Sequence, residues 1–228
     1  DLIENNNRRI AILEKMAEEL YREWFVRLRF PGHEKTKIIK GIPEGWEVKK
    51  LSEVIELAYG KALKEENRIE GKYPVFGSSG IIGFHNQAMV KGPGIIVGRK
   101  GNVGSIAMSD DDFFPIDTAY YVKSKLPLEY LFYFLRGMNF INNDAAVPGL
   151  NREQAYSNKF YHPPTLLIEE YRKIVRNFLI QKNSFKQQNN LLTTTRDRLL
   201  TRLMSGKIDV ENLDIEFPAS MKEEVPDA

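Results

Sequence analysis

The sequence of 228 residues contains no cysteine and no long apolar run. Without cysteine, disulfide bonds and thiolate metal sites are excluded, which favours a cytoplasmic protein. Because no run approaches the roughly 18 apolar residues that cross a bilayer, no membrane partner is expected. Histidine is scarce and scattered, so no metal centre is predicted, the three being His33, His85 and His162.

The net charge of +2 conceals an uneven distribution. Residues 60–104 carry seven basic and three acidic side chains. Residues 169–209 carry nine basic and four acidic side chains. Residues 210–228 are acidic, with six carboxylates against Lys222. Basic blocks of this size permit a polyanionic partner, and a solvated basic face remains the alternative.

Two segments have the heptad spacing of helices that pack against another helix. In the first, Asn6 takes a polar place in the apolar seam, and Pro31-Gly32 ends the helix; the seam residues are Ile3, Ile10, Leu13, Ala17, Leu20 and Trp24. This seam starts at Asp1 without an initiator methionine, which suggests a fragment or a processed product. The second helix begins near Thr165 and ends at Gly206, a rod of roughly 55 Å; its seam residues are Tyr171, Phe178, Phe185, Leu192 and Leu199. We expect the two helices to pack antiparallel.

The segment between the helices reads as a small, mostly-strand domain. Nine of the sixteen glycines fall between Gly71 and Gly104, where short apolar runs alternate with turn residues. We expect a strand with Trp46 and Val48, a short helix capped by Ser52, a strand over Phe113–Val122, a helix over Leu128–Met138 and a polar loop over Asn142–Arg152. The predicted fold class is therefore α+β, a strand-rich domain flanked by two long helices in an antiparallel coiled coil. The predicted divisions are 1–30, 41–164, 165–206 and an acidic tail, 207–228.

Motifs of known catalytic chemistry are not matched. Gly77 and Gly80 are three apart, unlike the glycines of an FxGxG adenosylmethionine site. His162-Pro163-Pro164-Thr165 lacks the amide and the aromatic residue of an amino-methyltransferase motif. No P-loop, nucleophile triad or zinc spacing is present. Recognition is therefore favoured over catalysis.

Seven segments, in order, resemble the specificity subunit of type I restriction–modification enzymes. The resemblance extends from Asn5 to about Ile215. The segments are NNNRRIAILEKMAEELYREWFVR, GIPEGWEVKKLSEV, YPVFGSSGIIGFHN, GPGIIVGRKGNVG, FFPIDTAYYV, PGLNRE and LLTTTRDRLLTRLMSGKI.

The resemblance implies a non-catalytic C-terminal half of such a subunit, with the second target-recognition domain and the conserved helices. It implies double-stranded DNA as ligand, with one half of a bipartite target read by the strand-rich domain. Modification (methyltransferase) subunits, which would bind S-adenosylmethionine, and a restriction (motor and nuclease) subunit are the implied partners. No cofactor is expected on this chain, and self-association through the helices would restore a second recognition domain.

Short polar and bidentate side chains read base edges, whereas lysine and arginine neutralise phosphates. The expected base contacts are Ser78, Ser79, His85, Asn86, Arg99, Lys100, Asn102, Asn151 and Arg152. The expected phosphate contacts are Lys61 and Arg68. The expected partner interface comprises Tyr21, Trp24, Phe25, Phe178, Phe185, Leu192 and Leu199.

Two other functions stay open from the sequence. The chain could be the recognition region of a single-chain restriction–methylation enzyme, which an upstream frame with methyltransferase and nuclease motifs would favour. It could also be a coiled-coil adaptor that binds protein, for which DNA affinity would ignore sequence. The target bases and spacer length are equally open.

Overall fold

The structure, a computed structural model, describes residues 1–138, 140 and 149–208. Within these residues the predicted α+β fold class is confirmed, with a long helix at each end and short strands between. The chain divides into two compact units, one of residues 1–12 with the segment from Gln181 onward, the other of Leu13–Ile180. The acidic tail after residue 208 and most of the predicted polar loop lie outside the described residues.

The helices are α1 (Leu2–Tyr21), continued by a π-helical turn (Arg22–Val26), α2 (Leu128–Arg136), α3 (Arg152–Ser157) and α4 (Thr165–Met204). The strands are β1 (Ile38–Ile39), β2 (Ile42–Pro43), β3 (Glu47–Lys50), β4 (Ile55–Tyr59), β5 (Tyr73–Gly77), β6 (Gly80–His85), β7 (Gly94–Gly98), β8 (Ile106–Ser109), β9 (Phe114–Pro115), β10 (Ala119–Ser124) and β11 (Lys159–His162).

In the first unit, the start of α1 pairs antiparallel with the C-terminal part of α4. Asn6 is buried and donates from Nδ2 to Oδ1 of Asn189 at 2.9 Å. Asn189 in turn donates to Oδ1 of Asn7 at 2.8 Å, and the Arg9 guanidinium lies 5.4 Å from the Phe185 ring centre. The polar heptad position at Asn6 therefore marks a buried amide contact between the helices.

In the second unit, two sheets carry most of the strands. The four-stranded sheet has the order β4-β10-β7-β8, with antiparallel neighbours throughout. The three-stranded sheet has the order β6-β5-β9, in which β5 and β9 run parallel. In the first sheet Tyr120 stands opposite Tyr59 on one side and Val97 on the other, which brings the ends of β4 and β7 close together.

An aromatic core joins the end of α1 to α2 and the start of α4. Tyr21 stacks on Tyr133 at 6.2 Å, and the Tyr171 hydroxyl donates to the Ala17 carbonyl at 3.1 Å. Tyr21 and Trp24 are therefore packed inside the chain, at 8% and 7% exposure, and a contact of either with a partner stays a prediction. Heptad spacing predicts that a side chain is buried, but the partner helix can belong to the same chain.

The remaining residues of the predicted partner interface differ in exposure. Phe25 and Phe178 are half-buried against the same aromatic core, and Phe185 is half-buried beneath Arg9. Leu192 is half-buried, whereas Leu199 is 47% exposed. Leu199 thus has the accessibility that a partner contact needs, and its role stays a prediction.

Local predictions within the domain needed two corrections. Ser52 does not cap the short helix of Leu51–Glu53, because Lys50 occupies the N-cap and its backbone N–H donates to the Glu53 carboxylate at 2.6 Å. The single strand expected over 113–122 is two strands, β9 and β10. A turn separates them, closed by the Ala119 N–H to the Ile116 carbonyl at 3.0 Å.

Candidate functional site

Two glycine-containing turns of the second unit lie side by side. The 77–80 turn connects β5 to β6, and Gly80 adopts a φ of 101° that favours glycine. Ser105, in the segment between β7 and β8, donates a short hydrogen bond from Oγ to the Ser78 carbonyl. This bond ties the 77–80 turn to the neighbouring hairpin.

The 98–104 turn is the tight connection that follows β7. The Gly98 N–H donates to the Ser105 carbonyl, and the Gly104 N–H donates to the Gly98 carbonyl, both at 2.8 Å. Gly101 has a φ of 80°, and a Cβ placed there would lie 3.2 Å from Oγ of Ser78. The exposed side chains of Lys100 and Asn102 therefore stand next to the 77–80 turn, whose Ser79 is exposed as well. The two turns form one exposed polar surface.

Beside the 98–104 turn, two arginines pack on one tyrosine. The Arg99 guanidinium carbon lies 4.9 Å from the centre of the Tyr59 ring, and that of Arg152 lies 5.2 Å from it. Arg99 also lies 5.7 Å from the Tyr120 ring centre. We call Tyr59, Arg99, Tyr120 and Arg152 the Tyr59 site.

Backbone contacts hold the Tyr59 site together. The Leu150 N–H donates to the Arg99 carbonyl at 2.8 Å, and the Tyr120 hydroxyl donates to the Leu150 carbonyl at 3.2 Å. The Tyr156 hydroxyl accepts the Leu57 N–H at 2.8 Å, which attaches α3 to β4. Residues distant in sequence are thereby placed around one open cavity of about 460 Å³, lined by Tyr59, Arg99, Lys100, Tyr120, Gly149, Leu150, Asn151, Arg152 and Glu153.

The electrostatics of this cavity are cationic. Its described lining carries Arg99, Lys100 and Arg152 against the carboxylate of Glu153, which is 80% exposed and 3.8 Å from Nε of Arg152. Burial, reinforced by the neighbouring Tyr59, raises the pKa of the Tyr120 hydroxyl, so this group stays neutral to a higher pH than an ordinary tyrosine. The cavity therefore offers positive charge together with aromatic surface.

Several predicted site residues are engaged in structural contacts. His85 is 7% exposed and accepts the Ile69 N–H on Nδ1 at 3.1 Å, and Arg68 donates to the Ile82 carbonyl at 2.8 Å. Oδ1 of Asn151 caps α3 by accepting the N–H groups of Glu153 and Gln154 at 2.9 and 3.3 Å. Each of these bonds uses one polar atom of its side chain, and the DNA contacts of His85, Arg68 and Asn151 stay predictions. Lys61 and Asn86 are exposed, and their DNA contacts stay predictions.

Sequence reasoning missed the tyrosines of this region, Tyr59, Tyr120 and Tyr156. The local signal at Tyr59 is weak. This tyrosine is an aromatic residue at the end of a strand, two positions before the basic Lys61. Its neighbours Arg99 and Arg152 are 40 and 93 positions away, and the pairing of β4 with β10 that brings Tyr120 near is not a local signal.

In the described ranges no group of three or more His, Cys, Asp or Glu side chains could hold a metal ion. The helices of residues 1–138 and 149–208 include none that is both long and apolar enough to cross a membrane.

Comparison with known proteins places this arrangement in context. The sequence model of the family described as "Type I restriction modification DNA specificity domain" matches residues 43–176, more than half of the chain. The chain is 41% identical over 64 residues to the type I restriction enzyme MjaIX specificity subunit of Methanocaldococcus jannaschii, covering 26% of this chain and 15% of that protein.

Solved structures of similar fold include the type I restriction–modification S subunit from M. genitalium, with a TM-score of 0.63 and 22% identity over 89% of this chain and 56% of that one. The HsdS subunit from Thermoanaerobacter tengcongensis has a TM-score of 0.45 and 17% identity, covering 84% of this chain and 48% of that one. The chain thus spans about half the length of these solved relatives and a smaller part of the curated one.

Proposed function

The chain belongs to the type I restriction modification DNA specificity domain family, and from this premise we propose that it recognises one half of a bipartite DNA target. The observation that carries the proposal is the juxtaposition of the exposed turns, 77–80 and 98–104, with the cationic Tyr59 site. Exposed polar side chains suit the major groove, which is wide enough to admit them, and cations beside them suit the phosphates that flank a groove.

The exposed side chains of the two turns are the proposed base readers. Ser79 and Asn102 can each donate and accept hydrogen bonds, and Lys100 can donate to guanine. Glycines on both sides let the backbone of the 98–104 turn approach the DNA closely. Asn86 and Lys61 are proposed to contact the same duplex from neighbouring exposed positions.

The proposed role is recognition without catalysis in a cytoplasmic restriction–modification complex. Modification subunits would bring S-adenosylmethionine and the methylation chemistry, and a restriction subunit would bring cleavage. The C-terminal part of α4 supports a docking role, because Leu191 and Leu199 are exposed at 68% and 47% on a helix whose seam is apolar. Self-association through the same helices is the proposed route to a second recognition domain.

The test is selection from a randomised duplex library, using the chain together with its modification subunit at near-physiological salt. We expect enrichment of a motif of a few base pairs. Asn102→Ala should relax the preference at one position of that motif, because an amide that reads a base edge is lost. Asn177→Ala, which changes an exposed asparagine on α4, is the matched control and should leave the motif intact.

Each other result has a definite meaning. Binding without enrichment would reduce the interaction to phosphate contact and contradict sequence recognition. Absence of binding would favour the protein-binding adaptor.

A further inference from the structure

We propose that the Tyr59 site is a binding site for a phosphodiester of the DNA backbone, in which Arg99 and Arg152 hold the same phosphate in the cavity that both line. The inference rests on the proposed function and divides its surface into two parts. The exposed side chains of the two turns read bases, and the Tyr59 site, which includes the half-buried Arg99 at the start of the 98–104 turn, takes the backbone.

The two guanidinium groups line the same cavity, and the one carboxylate in its described lining, Glu153, is 80% exposed. Since both lie about 5 Å from the centre of one ring, their carbons are within about 10 Å of each other. Each is held from outside the pair, Arg99 by its Nη1 donation to the Asp117 carbonyl at 3.1 Å and Arg152 by a second ring, Tyr156, at 5.9 Å. Two like charges fixed this close are stabilised by an anion that both can reach.

The donors of the site are incompletely used. Nε of Arg152 is buried and has no hydrogen-bond partner among the described residues. The Glu153 carboxylate is too far from this atom for a hydrogen bond, at 3.8 Å, and is largely in solvent. Arg99 uses Nη1 for Asp117 and also bonds the Tyr120 hydroxyl, and a guanidinium has five N–H donors, so donors remain for a ligand. Arginine presents its donors in a planar fork that matches the oxygens of a phosphate.

The shape of the site favours phosphate over base. A base edge lies at the floor of a groove, so a side chain that reads it must protrude. Arg99 and Arg152 instead fold back against Tyr59 and are half-buried in the wall of a concave cavity. A backbone phosphate projects from the duplex and can enter such a cavity. This inference changes the predicted role of both arginines from base reading to positioning of the DNA.

The experiment measures the salt dependence of duplex binding for the whole chain and for Arg99→Gln and Arg152→Gln. For each variant we expect about tenfold weaker binding at roughly 0.1 M salt and a salt slope smaller by about one, with the selected motif unchanged. Lysine keeps the charge but lacks the planar fork, so Arg152→Lys should recover most of the salt slope and only part of the affinity.

Arg136→Gln is the matched control, because Arg136 is also a half-exposed arginine packed on a ring, Phe132 at 5.5 Å, outside the Tyr59 site. An altered motif in Arg99→Gln or Arg152→Gln, or a salt slope no different from that of Arg136→Gln, would overturn the phosphate assignment. If the wild-type chain binds DNA with sequence preference in that case, the proposed function survives. Failure of the wild-type chain to bind would remove both.

Discussion

Gly98 lies where a side chain has no room. A Cβ placed there would be 2.1 Å from the Asn102 carbonyl oxygen and 2.4 Å from Oγ of Ser105. Because the nearer atom is backbone, the 98–104 turn must shift to admit an alanine. We expect Gly98→Ala to lower the free energy of unfolding by about 1–3 kcal/mol, measured by urea denaturation.

The matched control for this substitution is Gly137→Ala. Gly137 has an ordinary φ of −79°, and a Cβ there would be 3.5 Å from the nearest atom, the Phe134 carbonyl oxygen. Its free energy of unfolding should equal that of the wild type or exceed it by up to about 1 kcal/mol. If Gly98→Ala and Gly137→Ala changed the free energy of unfolding equally, the 98–104 turn would be able to adjust to a side chain, and its shape would not depend on Gly98.

At the scale of single residues, the sequence identified candidates but not what each one does. Glycine spacing predicted turns with polar residues, and the structure has turns at 77–80 and 98–104. Asn151 and His85 are polar side chains of the expected type, yet they cap α3 and accept a backbone N–H. Tyr59 could not be found, because its significance comes from two arginines that reach it through strand pairing.

At the scale of elements, the long helices were predictable because their seams repeat over many turns. The polar position Asn6 is visible as a break in that repeat, and its partner Asn189 follows only from the register of the two helices. Short strands carry too few residues for a period, which is why β9 and β10 were merged into one.

The amides between α1 and α4 predict a specific stability pattern. Asn189→Leu removes the amide that bonds both Asn6 and Asn7. The buried Asn6 amide then lacks its acceptor, so the free energy of unfolding should fall by about 1–3 kcal/mol. Adding Asn6→Leu replaces the polar pair by an apolar one and should recover most of this loss. Circular dichroism of the helices during urea denaturation measures the stability of the single and the double variant.

Asn183→Leu changes an exposed residue of α4 and serves as the control. Additive losses of stability in the double variant would contradict a coupled pair.

At the scale of the whole molecule, the fold class was predictable from the order of the segments, whereas the composition of the core was not. Tyr21 and Phe25, which lie beside the seam of α1, meet the tyrosines of α2 in the core of the second unit. Five tyrosines of the described residues are buried in this core; Tyr120 belongs to the Tyr59 site, and the other four, Tyr21, Tyr130, Tyr133 and Tyr171, lie on or beside α2. A core rich in phenols has a consequence for stability that an aliphatic core lacks.

Burial raises the pKa of Tyr133 to about 12 and raises the pKa values of Tyr21, Tyr130 and Tyr171 as well. An unfolded tyrosine loses its proton near pH 10. The folded state binds the protons more tightly, so the stabilisation is complete below about pH 10 and is lost as the pH rises towards 12 and beyond. Each tyrosine should contribute a slope of about 1.4 kcal/mol per pH unit in that range.

The measurement combines tyrosinate absorbance with circular dichroism across this alkaline range. We expect these four of the ten tyrosines to ionise only as the fold is lost. Tyr133→Phe should reduce the slope of unfolding free energy against pH by one proton, whereas Tyr161→Phe, at a side chain 51% exposed, should leave it unchanged. Ionisation of all ten near pH 10 with the circular dichroism intact would show that water reaches these phenols and that the aromatic core opens without unfolding.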